Sequence, residues 1–391
     1  MILSVDEDDS DGSSEASESD IEVTSVVIDN GSDTIKVGFS GQNAPKAVFP
    51  SKVGIPTHVT ANKDNYYVGD EIESKGGVLK IQRPINGGVI HDWDGMEKIL
   101  HHAFSKEMSV DPEDYKVLLT DNVADDSHRQ KMAEIMFETF NVPGLLVKLQ
   151  SVLSLYNTGR ISGVVVDSGY ETTNVTPIYD GVVHEESVQR IEMGGVHINN
   201  YLRKLLNESK HYVSAVVEKG MVNDMKETIC FGSSELQLED QMKHQSWERD
   251  YQLPDGKVIQ LKGEHIRAVE PLFDPSLIDI VSPGIHVALG DIIRKHPDHN
   301  HNSNIILSGG NTMFRGLEER LHKEMGRILS PAMVLKVVAA LERKYSVWEG
   351  GSMYASLSGV VDKWVTSQEW EEFGGGIVKR KLPTDNSGMA F

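Results

Sequence analysis

SVVIDNGSDTIKVGFSG, residues 25–41, reads as an apolar strand, a turn and a second strand. The same design returns in GVVVDSGYETTNVTPIYDG, residues 163–181. Asp29 and Asp167 each follow three apolar residues and precede a small polar residue and a glycine. With those aspartates aligned, Thr34 falls on Thr172 and Val37 on Val175. The offset of 138 residues is far too long for a solenoid repeat. It points instead to two related domains, each opening on a β-hairpin.

Between the hairpins the period of the apolar residues changes. Met96, Ile99, Leu100, Ala103 and Phe104 recur at helical spacing, as do Met132, Ile135, Met136 and Phe140. Residues 115–120 read as a buried strand. Strands alternating with helices imply an α/β architecture. Further on, SNIILSGGNTMFRGLEERLHKEM, residues 303–325, reads as strand, Gly-Gly turn and amphipathic helix. A chain of 391 residues is too long for one simple core and suits two domains.

Composition narrows the function classes. Hydrophobic residues make up 39%, and no apolar run approaches the length that spans a bilayer, so no membrane role is expected. The N-terminus has neither the basic region nor the apolar region of a secretory signal. Cys230 is the one cysteine, so no intramolecular disulfide forms, which fits a reducing compartment. A formal charge of −21 argues against direct nucleic-acid binding and fits basic partners. Residues 1–22 hold nine acidic residues and no Lys or Arg, with five serines from Ser10 to Ser19 among the acids. Such a stretch buries too little apolar surface to offset chain entropy and is expected to be a disordered acidic tail. Ser17 and Ser19, each with an acid three residues on, are candidate phosphorylation sites within it. His296, His299 and His301 crowd one loop, but no Cys or acid set completes a metal site with them.

The hairpin turns carry the chemistry. An Asp-x-Gly turn presents backbone N–H groups to one point, and its glycine lets an anion approach the backbone. Two such turns, Gly31-Ser32 in the first hairpin and Ser168-Gly169 in the second, would clasp a polyphosphate between them. Asp29 and Asp167, at the strand ends, would hold a hydrated Mg²⁺, which prefers carboxylates, waters and phosphate oxygens. Lys36 would reach a phosphate as a point charge. Gly309-Gly310 would let a nucleoside lie against bare backbone. Each element alone is common; the duplicated hairpin together with the later Gly-Gly turn is far more specific.

At this point the chain resembles actin, in actin's order and near its spacing, across nearly the whole folded part. The segments that carry the resemblance include VVIDNGS, AVFPSKVG, WDGMEKILHHAF, VLLTD, KMAEIMFETFNVP, QSVLSLYNTGR, ILSGGNTMFRG, ERKYSVWEGGS and IVKRK. The resemblance implies the two-lobed α/β fold of the actin, sugar-kinase and chaperone ATPases, with ATP or ADP and Mg²⁺ between the lobes. The outer lobe would take residues 23–153 plus 353–382, with an insertion near 50–87. The inner lobe would take 154–352, with an insertion near 197–284, and 383–391 would be a C-terminal extension. The family's nucleotide residues fall on Asp29, Gly31, Ser32, Lys36, Asp167, Gly195, Lys226, Glu227, Gly309, Gly310 and Lys344. Gln150 falls on the residue that positions the attacking water. An apolar cleft near Tyr156, Met353, Leu357 and Val360 would take actin-like subunits or a helix of an actin-binding protein.

Departures from the family are as informative. Asp33 and Glu171 stand where actin has glycines, so both phosphate loops gain a carboxylate. A carboxylate 4 Å from a phosphate charge costs roughly 4 kcal/mol at an effective dielectric of 20, so the direction in which these side chains point matters. Asn174 replaces the histidine beside the hydrolytic water and does not titrate near pH 7, so hydrolysis is expected to be slow or absent. Residues 59–64 form a shorter loop than actin's filament-plugging segment, and Gly87 stands at actin's modified histidine. The expected function is a cytoskeletal protein, cytoplasmic, assembling into or onto filaments, and at most a weak ATPase. The alternative is an actin-related structural subunit of a chromatin-remodelling or motor-associated complex, in the nucleus or cytoplasm, with static nucleotide or none.

Overall fold

The computed structural model describes residues 24–57, 66–123, 125–209, 218–233, 248–253, 256–296, 304–331 and 333–383. The acidic stretch 1–22, the 59–64 loop, His299, His301 and residues 384–391 of the C-terminal extension lie outside the described residues.

The fold is a two-lobed α/β assembly built on two mixed sheets. The first contains β1 (Val26–Asn30), β2 (Thr34–Phe39), β3 (Ala47–Pro50), β4 (Val117–Asp121) and β5 (Gly144–Leu149), closed by the short strand Val365–Thr366. The second contains β6 (Gly163–Ser168), β7 (Thr173–Tyr179), β8 (Asn304–Ser308) and β9 (Lys336–Val338), with the short strands Val182–Val183 and Gln189–Ile191 on β7. β1 and β6 are buried along nearly their whole length, which is why each reads as a continuous apolar run rather than an alternation.

The duplication expected from the sequence is present in the ladders. β1 pairs antiparallel with β2, setting Asp29 opposite Lys36, and β6 pairs with β7, setting Asp167 opposite Asn174. One offset of 138 residues maps the first register onto the second. Each hairpin's first strand also takes a parallel neighbour, β4 beside β1 and β8 beside β6. β5 and β9 then flank those neighbours in parallel.

Each sheet anchors its own apolar core. One gathers Val26, Ile28, Leu118, Leu146, Trp348 and Val365, and the other Val164, Val166, Ile198, Leu289, Leu307 and Leu321. Helix α1 (Gln150–Tyr156) leads directly from β5 toward β6. Helices α2 (Gly195–Glu208) and α3 (Glu218–Ile229) pack together in the second lobe. Helix α4 (Ser346–Ala355) packs on α1 and β1, and its fully buried Trp348 donates Nε1–H to the Val27 carbonyl at 3.0 Å. No helix among the described residues is long and apolar enough to cross a membrane. Cys230, at the end of α3, is buried, and burial pushes its thiol up to about 12.

Candidate functional site

The two hairpin turns face one another across a cleft of about 420 Å³. Asp29, Gly31, Ser32, Lys36, Gln150, Asp167, Gly169, Gly195, Lys226, Glu227, Gly309, Gly310 and Lys344 all line it. These residues come from both lobes and span most of the chain, so the fold alone brings them together.

Each aspartate at a strand end is held by a hydroxyl from the neighbouring parallel strand. Thr120 Oγ1 on β4 donates to Asp29 Oδ1 at 2.9 Å. Ser308 on β8 hydrogen-bonds the Asp167 carboxylate in the same way. Lys36 Nζ lies 2.7 Å from Asp29 Oδ2, so in this arrangement it neutralises that carboxylate. Asp167 keeps part of its surface open to the cleft, yet burial drives its carboxyl pKa upward and the Asp29 charge adds to the effect. Lys36 offsets only part of the negative charge of the two carboxylates, and a divalent cation bound through water would offset the rest. The donor set therefore fits Mg²⁺ with Asp29 and Asp167 as its outer ligands.

The glycines are placed where side chains do not fit. Gly309 has φ of +87°, and a Cβ there would lie 2.3 Å from the Ser168 carbonyl oxygen. A Cβ on Gly194 would lie 2.6 Å from the Gly169 and Tyr170 carbonyls, so helix α2 starts hard against the second turn. Asn311 ties the Gly-Gly turn to that hairpin, donating Nδ2–H to the Gly169 carbonyl at 2.6 Å and to Ser168 Oγ at 3.1 Å. Ser168 itself is buried, bonded to Thr173 Oγ1 at 2.7 Å, and does not line the cleft. Its contribution is to the shape of the turn.

Gln150 Nε2 lies 3.2 Å from Asp29 Oδ1, the Asn30 carbonyl and Thr120 Oγ1. With its amide hydrogens engaged there, its Oε1 is the atom available to a water. Asn174 lines a second cavity of about 240 Å³ that shares Gln150 and Asp167 with the main cleft. Its Nδ2 donates to Asn122 Oδ1 at 3.1 Å. Lys226 is buried and bonded to Asn223 Oδ1 at 3.0 Å. Burial lowers its pKa, against the opposing pull of Glu227 and Asp33.

Of the two added carboxylates, Glu171 reaches across to the other lobe, whereas Asp33 pairs within its own. Arg83 Nη2 lies 3.3 Å from Asp33 Oδ1, and its Nη1 donates to the Ser32 carbonyl at 2.8 Å. The same guanidinium lies 4.6 Å from the centre of the Tyr170 ring, with Nη2 3.4 Å from the Tyr170 hydroxyl. Glu171 Oε2 accepts the Gly87 N–H at 2.6 Å, and Arg190 Nη2 donates to the Gly87 carbonyl at 2.6 Å. Gly88 N–H donates to Ser32 Oγ at 3.2 Å. The segment 83–88 is thus a strap: it belongs to the first lobe and is gripped by Tyr170, Glu171 and Arg190 of the second. Asp33 and Glu171 both border the cleft, but each has a protein partner on the strap.

Sequence reasoning missed Arg83, Arg190, Thr120 and Asn311. Of the four residues expected to form the partner cleft, Tyr156 and Val360 are buried, whereas Met353 and Leu357 are exposed together with Val361. His296, the one described member of the histidine cluster, bonds Ser187 Oγ at 2.8 Å through Nε2 and packs edge-on against His184. No group of His, Cys, Asp or Glu suited to a metal occurs among the described residues; the Asp29–Asp167 pair would act through waters. A family model described as Actin matches residues 20–383.

Proposed function

The chain belongs to the actin family, and from that premise we propose that it binds a Mg²⁺–adenine nucleotide between its lobes and assembles into or onto filaments, hydrolysing ATP slowly. The observation that carries this reading is the convergence of two hairpins of one register with the Gly309-Gly310 turn on a single cleft. In it, the turn at Gly31-Ser32 and the turn at Gly169 supply N–H groups to phosphates. The metal, when bound, neutralises phosphate charge. Asp29 and Asp167 orient its waters, Lys226 and Glu227 flank the nucleoside, and Gly309-Gly310 lets it lie on backbone. Gln150 Oε1 orients an attacking water, and Asn174, which does not titrate near neutrality, supplies no base to it. Slow turnover follows, and the cytoplasm goes with this role.

A second reading, a static actin-related subunit of a larger assembly in the nucleus or cytoplasm, is favoured by the strap. Arg83, Tyr170 and Glu171 hold the lobes together in a way that would slow opening and exchange. Pelleting of the purified protein above a critical concentration, run beside phosphate release from Mg-ATP, separates the two. Sedimenting polymer with phosphate release supports the filament reading. Bound nucleotide without polymer or release supports the static one.

A further inference from the structure

Carboxyl groups outnumber lysines along the cleft, five to three. Lys36 is already committed to Asp29, at 2.7 Å. Asp33 and Glu171 stand one at each of the two turns that face each other there, and both line the cleft. Their charges are met to different degrees. Asp33 Oδ1 lies 3.3 Å from Arg83 Nη2, so a guanidinium offsets part of its charge. Glu171 accepts the Gly87 N–H at 2.6 Å, a neutral donor that fixes the side chain and leaves its negative charge in place. Arg190, which reaches the Gly87 carbonyl on the same segment, is paired with Glu192 instead.

Both charges are felt on the far side of their own turns. Burial lowers the pKa of His197 on α2, and Glu171 is the first of the carboxylates that oppose it. Burial likewise lowers the pKa of Lys226 on α3, and Asp33, from the other lobe, opposes it together with Glu227. A nucleoside triphosphate brings one more negative charge to this cleft than a diphosphate does. Bound Mg²⁺ adds the same two positive charges to either and leaves that difference unchanged. Like charges about 10 Å apart at an effective dielectric of about 20 weaken an affinity roughly tenfold.

We propose that Glu171, with a smaller share from Asp33, makes the cleft prefer a nucleoside diphosphate to a triphosphate. This rests on the cleft being an adenine-nucleotide site. The chain then holds the product of hydrolysis more tightly than the substrate, and a diphosphate once formed stays in place. Glu171 acts here as a specificity residue: it fixes the strap through Gly87 and disfavours the third phosphate through its charge.

The test is competition against fluorescent etheno-ADP in the full chain, with Mg-ADP and with the Mg complex of the β,γ-imido analogue of ATP, which is not hydrolysed. The unaltered chain should bind Mg-ADP about tenfold more tightly than the triphosphate analogue. Glu171→Gln keeps an oxygen for the Gly87 N–H and removes the charge, and it should bring the two affinities to within about threefold. Asp33→Asn keeps an acceptor for Arg83 and should narrow the ratio by about twofold, since that charge is already partly offset. Equal or tighter binding of the triphosphate analogue by the unaltered chain, or a ratio that neither variant narrows, overturns the proposal and leaves the nucleotide site standing. Binding of neither nucleotide by the folded chain overturns the proposal together with the site it rests on.

Discussion

Replacing Tyr170 by Leu tests whether the strap at 83–88 holds the lobes together. The substitution removes the ring that Arg83 stacks on at 4.6 Å and leaves Arg83 free to keep its bonds to Asp33 and the Ser32 carbonyl. The Arg83–Asp33 pair lies within the first lobe and is 26% and 41% exposed, so screening limits it to about 0–1 kcal/mol, and it does not bridge the lobes. The 3.4 Å approach to the Tyr170 hydroxyl is long for a hydrogen bond and adds little. The guanidinium–ring contact is therefore the main loss, about 0.5–1 kcal/mol at a partly exposed site. That raises the open population about two- to fivefold. The assay is hydrogen exchange at Gly87, whose N–H is bonded across the lobes to Glu171. Its exchange should quicken by that factor in Tyr170→Leu. The Arg83→Ala single variant and the double variant complete a cycle whose coupling should be about 0.5–1 kcal/mol. Unchanged Gly87 exchange, or strictly additive effects in the cycle, would refute the strap.

Other outcomes follow from single residues. Gly309→Ala forces a Cβ at φ +87° to within 2.3 Å of the Ser168 carbonyl, so it should cost about 1–3 kcal/mol and distort the second turn; thermal unfolding and nucleotide content read both effects. His265 is fully buried, neither ring nitrogen has a hydrogen-bond partner, and burial lowers its pKa from 6.5 to about 4. The unfolded state binds the proton more readily, so the stability from this group is complete above pH 6.5 and is lost as the pH falls toward 4. His265→Phe should remove that loss, seen as a flatter dependence of melting temperature on pH between those limits. Asp167→Asn removes one of the two facing carboxylates and should make nucleotide retention much less sensitive to EDTA; equal sensitivity in both proteins would argue against a metal at this pair.

The fold was legible because it is written twice. The apolar triplets before Asp29 and Asp167 set the repeat, and the 138-residue offset between them is the one that relates the two ladders. The turns and the Gly309-Gly310 pair were legible because glycine at a strand end limits what the backbone can do. Thr120 and Ser308 also left a signal, since Val117-Leu118-Leu119-Thr120 and Ile305-Ile306-Leu307-Ser308 each end an apolar triplet in a hydroxyl. Read beside the hairpins, that parallel identifies the strands that support the two aspartates. The strap left no such trace. Arg83 and Tyr170 are 87 residues apart, as are the two ends of no local pattern, and their contact depends on how the lobes close. The direction of Glu171 depends on the same closure, and that of Asp33 on Arg83, 50 residues further along the same lobe.

The central claim is that the two hairpins clasp an adenine nucleotide, and the most direct test is to ask what the protein carries. The protein is purified without added nucleotide and denatured, and the released small molecules are separated by chromatography. The account predicts about one equivalent of adenine nucleotide per chain, ADP where turnover has occurred and ATP where it has not. A folded protein that releases no nucleotide, and takes up none from added Mg-ATP, would contradict it.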